Sequence, residues 1–343
     1  YSGLADPDRL ATVFPELDLY HVWKLDVDRA GASAVEAEKV ALEADERIVN
    51  SLGAQVYTRY SFGVYGNSLG FVEAESATQH GSTVSVIAED EQGMQREYWY
   101  TLARDPADLD SHVEVGEEAA RRALARLGCK PIKTGTYPVL FDPRIASGIY
   151  GHLISALSGG SLYRKSSYLL DSMGTRVATP DLSLIERPHL RKALGSAAFD
   201  DDGVATIQKA FIDKGEVVSY VLGTYSARRL GLETSGNAGG IFNLDVEAPT
   251  EPVDALLRRM GTGLLVTEVM GQGVNLLTGD YSRGAAGFWV EGGEIAHPVA
   301  EVTVASNLDR MLKGIVGFGD DVDYRGNIRS GSMLVDEMTI AAD

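Results

Sequence analysis

The strongest candidate for chemistry in this sequence is His152. Ile145, Ile149, His152 and Ala156 recur at spacings of 4, 3 and 4, which places them on one face of a helix. Leu153 and Leu157 widen that face. A zinc helix needs two ligands one turn apart and a base beside them. The turn after His152 offers only Ser155 and Ala156, and Leu153 stands where an H-E motif carries its glutamate. Spacing alone therefore predicts no zinc on this helix and reads His152 as a core histidine with one hydrogen bond. His21, His80, His112, His189 and His297 are widely separated. His297 and Glu301 are four apart, but Pro298 and the valines at 299, 302 and 304 argue for a strand. Only ligands converging in three dimensions would make a metal site.

Other candidates are weaker. Gly159-Gly160 follows the helix, where two glycines leave room for another backbone to approach. Arg164 and Lys165 come next and could hold a carboxylate such as a peptide C-terminus. A helix stop followed by solvated charges is the plainer reading. Gly271-Gln272-Gly273 is half of a nucleotide fingerprint, without a third glycine or a following helix pattern. Neither a phosphate-binding G-x-x-x-x-G-K-[ST] loop nor a G-x-S-x-G elbow occurs. Cys129 is the single cysteine. It excludes an internal disulfide framework and a multi-cysteine zinc site, fits a reducing cytosol, and reads as an inert thiol.

The elements that must position these residues fall into two groups. Residues 1–32 have loop character, and 33–51 read as a helix with Ala37, Ala41 and Ala44 at helical spacing. From 55 to 104 the period becomes two, and four strands are predicted at 56–65, 69–75, 82–88 and 95–102, an antiparallel meander. A helix over 113–127 ends at Gly128. Pro138 to Phe141 reads as a short strand, with Asp142 and Pro143 suited to start the His152 helix. Residues 180–203 look irregular, and 205–212 and 217–222 form a hairpin. Apolar runs at 263–270, 287–291, 299–305 and 333–340 alternate with glycine turns, with short helices at 252–260 and 307–313. The class is α+β. Residues 1–132 are an α+β domain of helix plus antiparallel meander. Residues 133–343 are a strand-rich domain with a twisted or barrel-like antiparallel sheet.

Composition bounds the function. The 343 residues are 44% apolar and 23% charged, typical of a globular protein large enough for two cores. A net charge of −18 disfavours nucleic acid as a partner. The acidic residues are scattered, and even Asp200-Asp201-Asp202 reads as a solvated face. No apolar run reaches membrane-spanning length and no secretory leader is visible. The first residue is Tyr1, from which an absent N-terminal segment is expected.

Four stretches together resemble the TldD/PmbA family, in its PmbA (TldE) branch. They are YRKSSYLLDSMG from Tyr163, TYSARRLGLETSGNAGGIFN from Thr224, MGTGLLVTEVMGQGVNLLTGDYSRGAAGFWVEGGEI from Met260 and NIRSGSMLVDEMTIA from Asn327. The resemblance covers nearly the whole chain. It implies a subunit of a cytoplasmic two-subunit protease. In that family the TldD-type subunit carries an H-E-x-x-x-H zinc helix with a further cysteine ligand. The PmbA-type subunit lacks the motif and encloses a chamber with its partner. Carried over by position, Gly151 to Ala156 sits where the zinc helix would be, and Ser330-Gly331 replaces Cys-Gly. No catalytic residue and no zinc are then expected in this chain, with zinc expected in the TldD-type partner. The resemblance also places Asp280, Tyr281, Ser282 and Arg283 near the peptide-binding region, where an edge strand could take an extended or unfolded peptide. Such a chain would be a subunit of a peptide-bond hydrolase, not catalytic alone. Two alternatives stand beside it: a metallopeptidase with a nonstandard site, and a regulator of DNA gyrase, the family's older label. A homodimer in isolation remains open.

Overall fold

The computed structural model describes residues 3–342. Helix α1 spans Val27–Glu43 and is capped by Asp26, whose carboxylate accepts from the Arg29 amide at 2.8 Å. It starts and ends earlier than the 33–51 pattern predicts. The last turn of that pattern, at Ile48, is instead the start of a strand and is buried against the sheet.

The meander has three strands, not four: β1 (Ile48–Gly66), β2 (Val72–Asp90) and β3 (Gly93–Ala103). The polar run 76–81 breaks the apolar period but not the pairing, which continues from Ser76 opposite Phe62 to His80 opposite Thr58. Its two buried polar side chains, Thr78 and His80, are satisfied inside. The His80 ring bonds Thr58 Oγ1 through Nδ1 and the His21 carbonyl through Nε2, both at 2.8 Å. Thr78 donates to the Arg104 carbonyl at 2.8 Å. Helix α2 (His112–Ala125) opens with a capping box between Ser111 and Glu114. Small buried residues on α1 (Ala37, Ala41) and α2 (Ala119, Ala120, Ala123) let both helices lie close to Val84 and Val86 of the sheet.

The rest of the chain continues with β4 (Gly135–Phe141), α3 (Pro143–Ala156), α4 (Gly159–Tyr163), β5 (Ser183–Glu186), β6 (Lys209–Asp213) and β7 (Glu216–Val217). Then come α5 (Thr224–Leu230), β8 (Leu244–Glu247), β9 (Thr250–Glu251), α6 (Val253–Met260) and β10 (Gly263–Met270). Finally there are β11 (Val274–Asn275), β12 (Asp280–Glu291), β13 (Glu294–Asn307), α7 (Leu308–Lys313), β14 (Ile315–Gly319), β15 (Ile328–Arg329) and β16 (Met333–Ala341). Strands β4, β10, β12, β13 and β16 pair in a ring that closes on itself, a five-stranded barrel. The expected barrel-like sheet is present, but it is mixed. β4 and β10 run parallel, Leu264 opposite Val139, because α3 and the segment after it form the crossover between them. Both faces of β4 are buried, Val139 and Phe141 with Ile149 and Leu153 of α3, Leu140 with Leu256 and Leu257 of α6. That explains an apolar run without alternation. At Gly287 a side chain would stand 1.8 Å from the Leu265 carbonyl oxygen, so the barrel wall can turn there only on glycine.

A second sheet orders β15-β8-β5-β6-β7. It takes in part of the stretch 180–203 expected to be irregular. The predicted hairpin is real but short, pairing only Ile212 with Val217 and Asp213 with Glu216. Asp200 is buried, not solvated. Its carboxylate accepts the amides of Asp202, Val204 and Ala238, each at 2.9 Å, and Asp202 in turn accepts the first amide of α5 at 2.9 Å. The acidic run is a loop lock.

The meander meets the barrel at Trp99 on β3. Guanidinium groups of Arg122 (α2), Arg144 (α3) and Arg325 lie 4.7, 5.5 and 4.2 Å from its ring centre. Each is held by a carboxylate: Arg144 by Asp142 at 3.2 Å, Arg325 by Asp323 at 2.9 Å, and Arg122 by Asp142 at 3.7 Å. Trp99→Ala should lower unfolding stability by about 2–4 kcal/mol, combining lost packing and three cation–π contacts. Urea denaturation would measure this, and a change below about 0.5 kcal/mol would show that the indole does not tie the two units.

Candidate functional site

Asp142 fixes where α3 begins, accepting from the Arg144 amide at 2.9 Å, and Pro143 occupies its first turn. That sets the phase of every later residue. Leu153 and Ile154 point into the core while His152 is half-buried at its margin. His152 is thus not the core histidine with one hydrogen bond that its spacing suggests. Among the described residues no protein atom hydrogen-bonds its ring. It meets Tyr281 edge to face, with centroids 6.4 Å apart. Burial pushes the His152 imidazole below its ordinary pKa, and the Arg283 charge adds to the effect. Burial pushes the Tyr281 phenol up to about 12, with Arg283 pulling the other way. Both groups are neutral near pH 7.

Ser330 lies beside the same helix. It is buried, its backbone carbonyl accepts the Asp323 amide at 3.1 Å, and its hydroxyl donates to the Gly331 carbonyl at 2.7 Å. The neighbouring strand β15 packs on α3, with the Ile328 Cδ1 atom 3.6 Å from where a Gly151 side chain would start. Tyr150 of α3 is fully buried. Burial raises its phenol pKa, and the Ser330 hydroxyl opposes that. The chain therefore brings Ser330 beside the buried Tyr150 phenol of the His152 helix, with no hydrogen bond between them, and sets Tyr281 and Arg283 against His152. Nothing local in the sequence announces the Tyr281 contact. It follows from barrel strand β12 passing α3.

The four residues at 280–283 are not an edge. Asp280 and Tyr281 pair with β11 on one side, and Asp280 to Arg283 pair with β13 on the other. The Ser282 amide donates to the Gly273 carbonyl at 2.7 Å. Backbone addition of a peptide is therefore closed along this stretch. Gly271-Gln272-Gly273 belongs to the loop that closes it, with no helix following. Asp280 locks the turn, accepting from Thr278 Oγ1 at 2.7 Å and from Asn307 Nδ2 at 3.3 Å. Ser282 is exposed, Tyr281 is buried, and half-buried Arg283 donates from Nε to the Met270 carbonyl at 3.1 Å.

Arg164 and Lys165 are exposed at the end of α4. Among the described residues neither has an ion-pair partner. Arg164 lies over the Tyr163 ring at 5.3 Å, and Arg229 of α5 stands 5.8 Å from the same ring. Another backbone approaches the double glycine, with the Gly159 amide donating to the Val221 carbonyl at 2.9 Å, and a helix side chain approaches it as well. A side chain at Gly159 would fall 2.3 Å from Ser226 Oγ of α5. Tyr168, just beyond, donates its amide to Leu276 at 2.7 Å. This basic turn and the loop before residue 280 are thus neighbours.

Among the described residues no three His, Cys, Asp or Glu side chains converge to hold a metal ion. Near His152 the groups are Tyr281 and Arg283, with Ser330 by Tyr150, two positions back along α3. A phenol kept protonated and a guanidinium are not zinc ligands, and the guanidinium charge repels a cation. Zinc does not fit this donor set. Cys129 donates to the Arg126 carbonyl at 3.2 Å, and burial raises its thiol pKa, so it is no reactive thiolate.

Residues 134–342 match the family model of the PmbA/TldA metallopeptidase C-terminal domain, and 20–127 match that of the central domain. The chain belongs to the PmbA/TldD metallopeptidase family. It is 46% identical over 343 residues to the metalloprotease PmbA homologue of Haemophilus influenzae, covering 100% of this chain and 76% of that protein. A more distant relative, the metalloprotease TldD homologue of Buchnera aphidicola, is 21% identical over 312 residues, 83% of this chain and 64% of its own length. A crystal structure from Bacteroides thetaiotaomicron, named as a candidate modulator of DNA gyrase, superposes with a TM-score of 0.94 at 30% identity, covering 99% of this chain and 78% of that one. None of the helices among the described residues is long and apolar enough to cross a membrane.

The lowered His152 pKa has a stability consequence. The unfolded chain binds the His152 proton more readily than the folded one. The contribution of neutral His152 is therefore complete above about pH 6.5 and is lost as pH falls towards its folded pKa. His189 is lowered in the same direction by burial and Lys209, so the comparison must be with a variant. Stability of His152→Phe between pH 7.5 and 5 should fall less steeply than that of the native chain. Identical slopes would mean the site does not perturb His152.

Proposed function

We propose that this chain is the PmbA-type subunit of a cytoplasmic two-subunit peptidase that cuts unfolded peptides, with zinc and the catalytic acid carried by a TldD-type partner. The observation that carries this reading is the preserved frame around α3. The helix, the segment at Ser330 and strand β12 come together as a site would, while the positions facing one another are Tyr281, Arg283 and a lone imidazole. Such a site keeps its shape and lacks its ligands. Its remaining role is structural: it forms a wall of the space in which the partner works.

The peptide's contact with this chain would come through side chains, since 280–283 is paired on both sides. Exposed Arg164 and Lys165 suit a peptide carboxylate or an acidic patch of the partner. On β12, Ser282 is exposed and Arg283 half-buried, on opposite faces of the strand. A gyrase-directed role draws no support from a surface of net charge −18.

The test is reconstitution. Mixed with a TldD-type subunit, the chain should co-elute with it on sizing and raise cleavage of an unstructured peptide, with neither effect from the chain alone. His152→Ala should leave the zinc content and cleavage of the mixture unchanged. The double variant Arg164→Glu, Lys165→Glu should slow cleavage or assembly by about tenfold through reversed charge. Absence of a complex together with unaltered cleavage would refute the proposal. So would stoichiometric zinc on the isolated chain that vanishes in His152→Ala.

A further inference from the structure

A cleft of about 570 Å³ lies between the end of β3, the start of α3 and the 321–325 segment. That volume is within the range of small-molecule sites. Four cations line it: Arg104, Arg144, Lys192 and Arg325. Three of them are neutralised in place. Arg144 is held by Asp142, Arg325 by Asp323, and Lys192 by Asp105 and Asp108.

Arg104 differs. It donates from Nη1 to the Thr78 carbonyl at 3.0 Å and from Nη2 to the Leu194 carbonyl, so its guanidinium is fixed in orientation. Its buried Nε atom has no acceptor. Among the described residues no carboxylate lies within ion-pair range of it. Burial alone acts on its pKa, downward, with no acid offsetting it. A partly buried cation without a counter-ion is costly unless something supplies the charge.

Other lining residues have the opposite character. Asp321 accepts from the Ser332 amide at 2.8 Å and from the Ser332 hydroxyl at 2.7 Å, and it has no cation partner among the described residues. Asp110 also lines the cleft without a cation partner. Five aspartates in all border the space, which would repel a polyanion such as a phosphate ester. A ligand with one carboxylate and one ammonium group meets both kinds of lining residue.

From this we infer that the cleft binds a small zwitterion, a short peptide, whose carboxylate pairs with Arg104 and whose ammonium group faces Asp321 and Asp110. The inference needs no partner subunit and no proteolytic role. Trp99 lines the same space, so its fluorescence reports occupancy.

The probe is trialanine, titrated into the full chain by calorimetry and by tryptophan fluorescence. Saturable binding is expected, weakened about tenfold by Arg104→Gln and by converting the peptide's C-terminus to the amide, as for loss of one charged hydrogen-bonded pair. Arg104→Gln also gives up contacts to Thr78 and Leu194, so its fold is checked by thermal melting. A second variant, Ala193→Trp, fills the cleft and leaves Arg104 in place; it should abolish binding. Four outcomes overturn the inference: no saturable binding, equal binding of acid and amide, acetate binding as tightly as trialanine, or full binding by Ala193→Trp.

Discussion

Three guanidinium groups converge on one indole, and the rest of the molecule is arranged around that fact. Trp99 stands on the face of the meander that α1 and α2 cover, and the arginines come from α2, from the first turn of α3 and from the loop that leads to Ser330. Like charges so close together repel unless each is neutralised, and here aspartates pair with all three. Asp142 has three tasks at once. It caps α3, holds Arg144 and faces Arg122. Start of helix, domain contact and charge balance are therefore coupled, and α3 cannot shift without disturbing the contact at Trp99.

From that anchor the geometry runs outward. α3 leaves Asp142 in a fixed phase, so His152 emerges at the margin of the core towards β12. The arginine contact also fixes the 323–325 loop, whose backbone pairs with Ser330. Both halves of the candidate site are thus referenced to the meander. This explains how residues far apart in sequence keep their places.

Much of this was legible from residue order. The Asp142-Pro143 start of α3 and the strand at 263–270 are local signals, and the structure agrees with both. Three readings failed for physical reasons. Polar residues at 76–81 read as a break, yet Thr78 and His80 find partners within the fold and the strand runs through. The acidic run at 200–202 resembled a solvated face, but backbone amides with no other acceptor need its oxygens. The parallel β4–β10 pair was missed because strand direction depends on the crossover, not on the strands themselves. The contact of His152 with Tyr281 had no local signature at all, since it belongs to barrel closure.

That closure constrains how the chain is made. β4 is synthesised early, but its two barrel neighbours are β10 and β16, and β13 also waits for β16 to complete the ring. Through most of translation the apolar faces of β4 and α3 have no permanent cover, and contacts of such long range form slowly. The meander, built from sequential strands and two helices, can fold first and on its own contacts. Emerging from the ribosome, the molecule is a finished head with an open apolar ribbon behind it. It depends on whatever shields that ribbon until the last strand arrives.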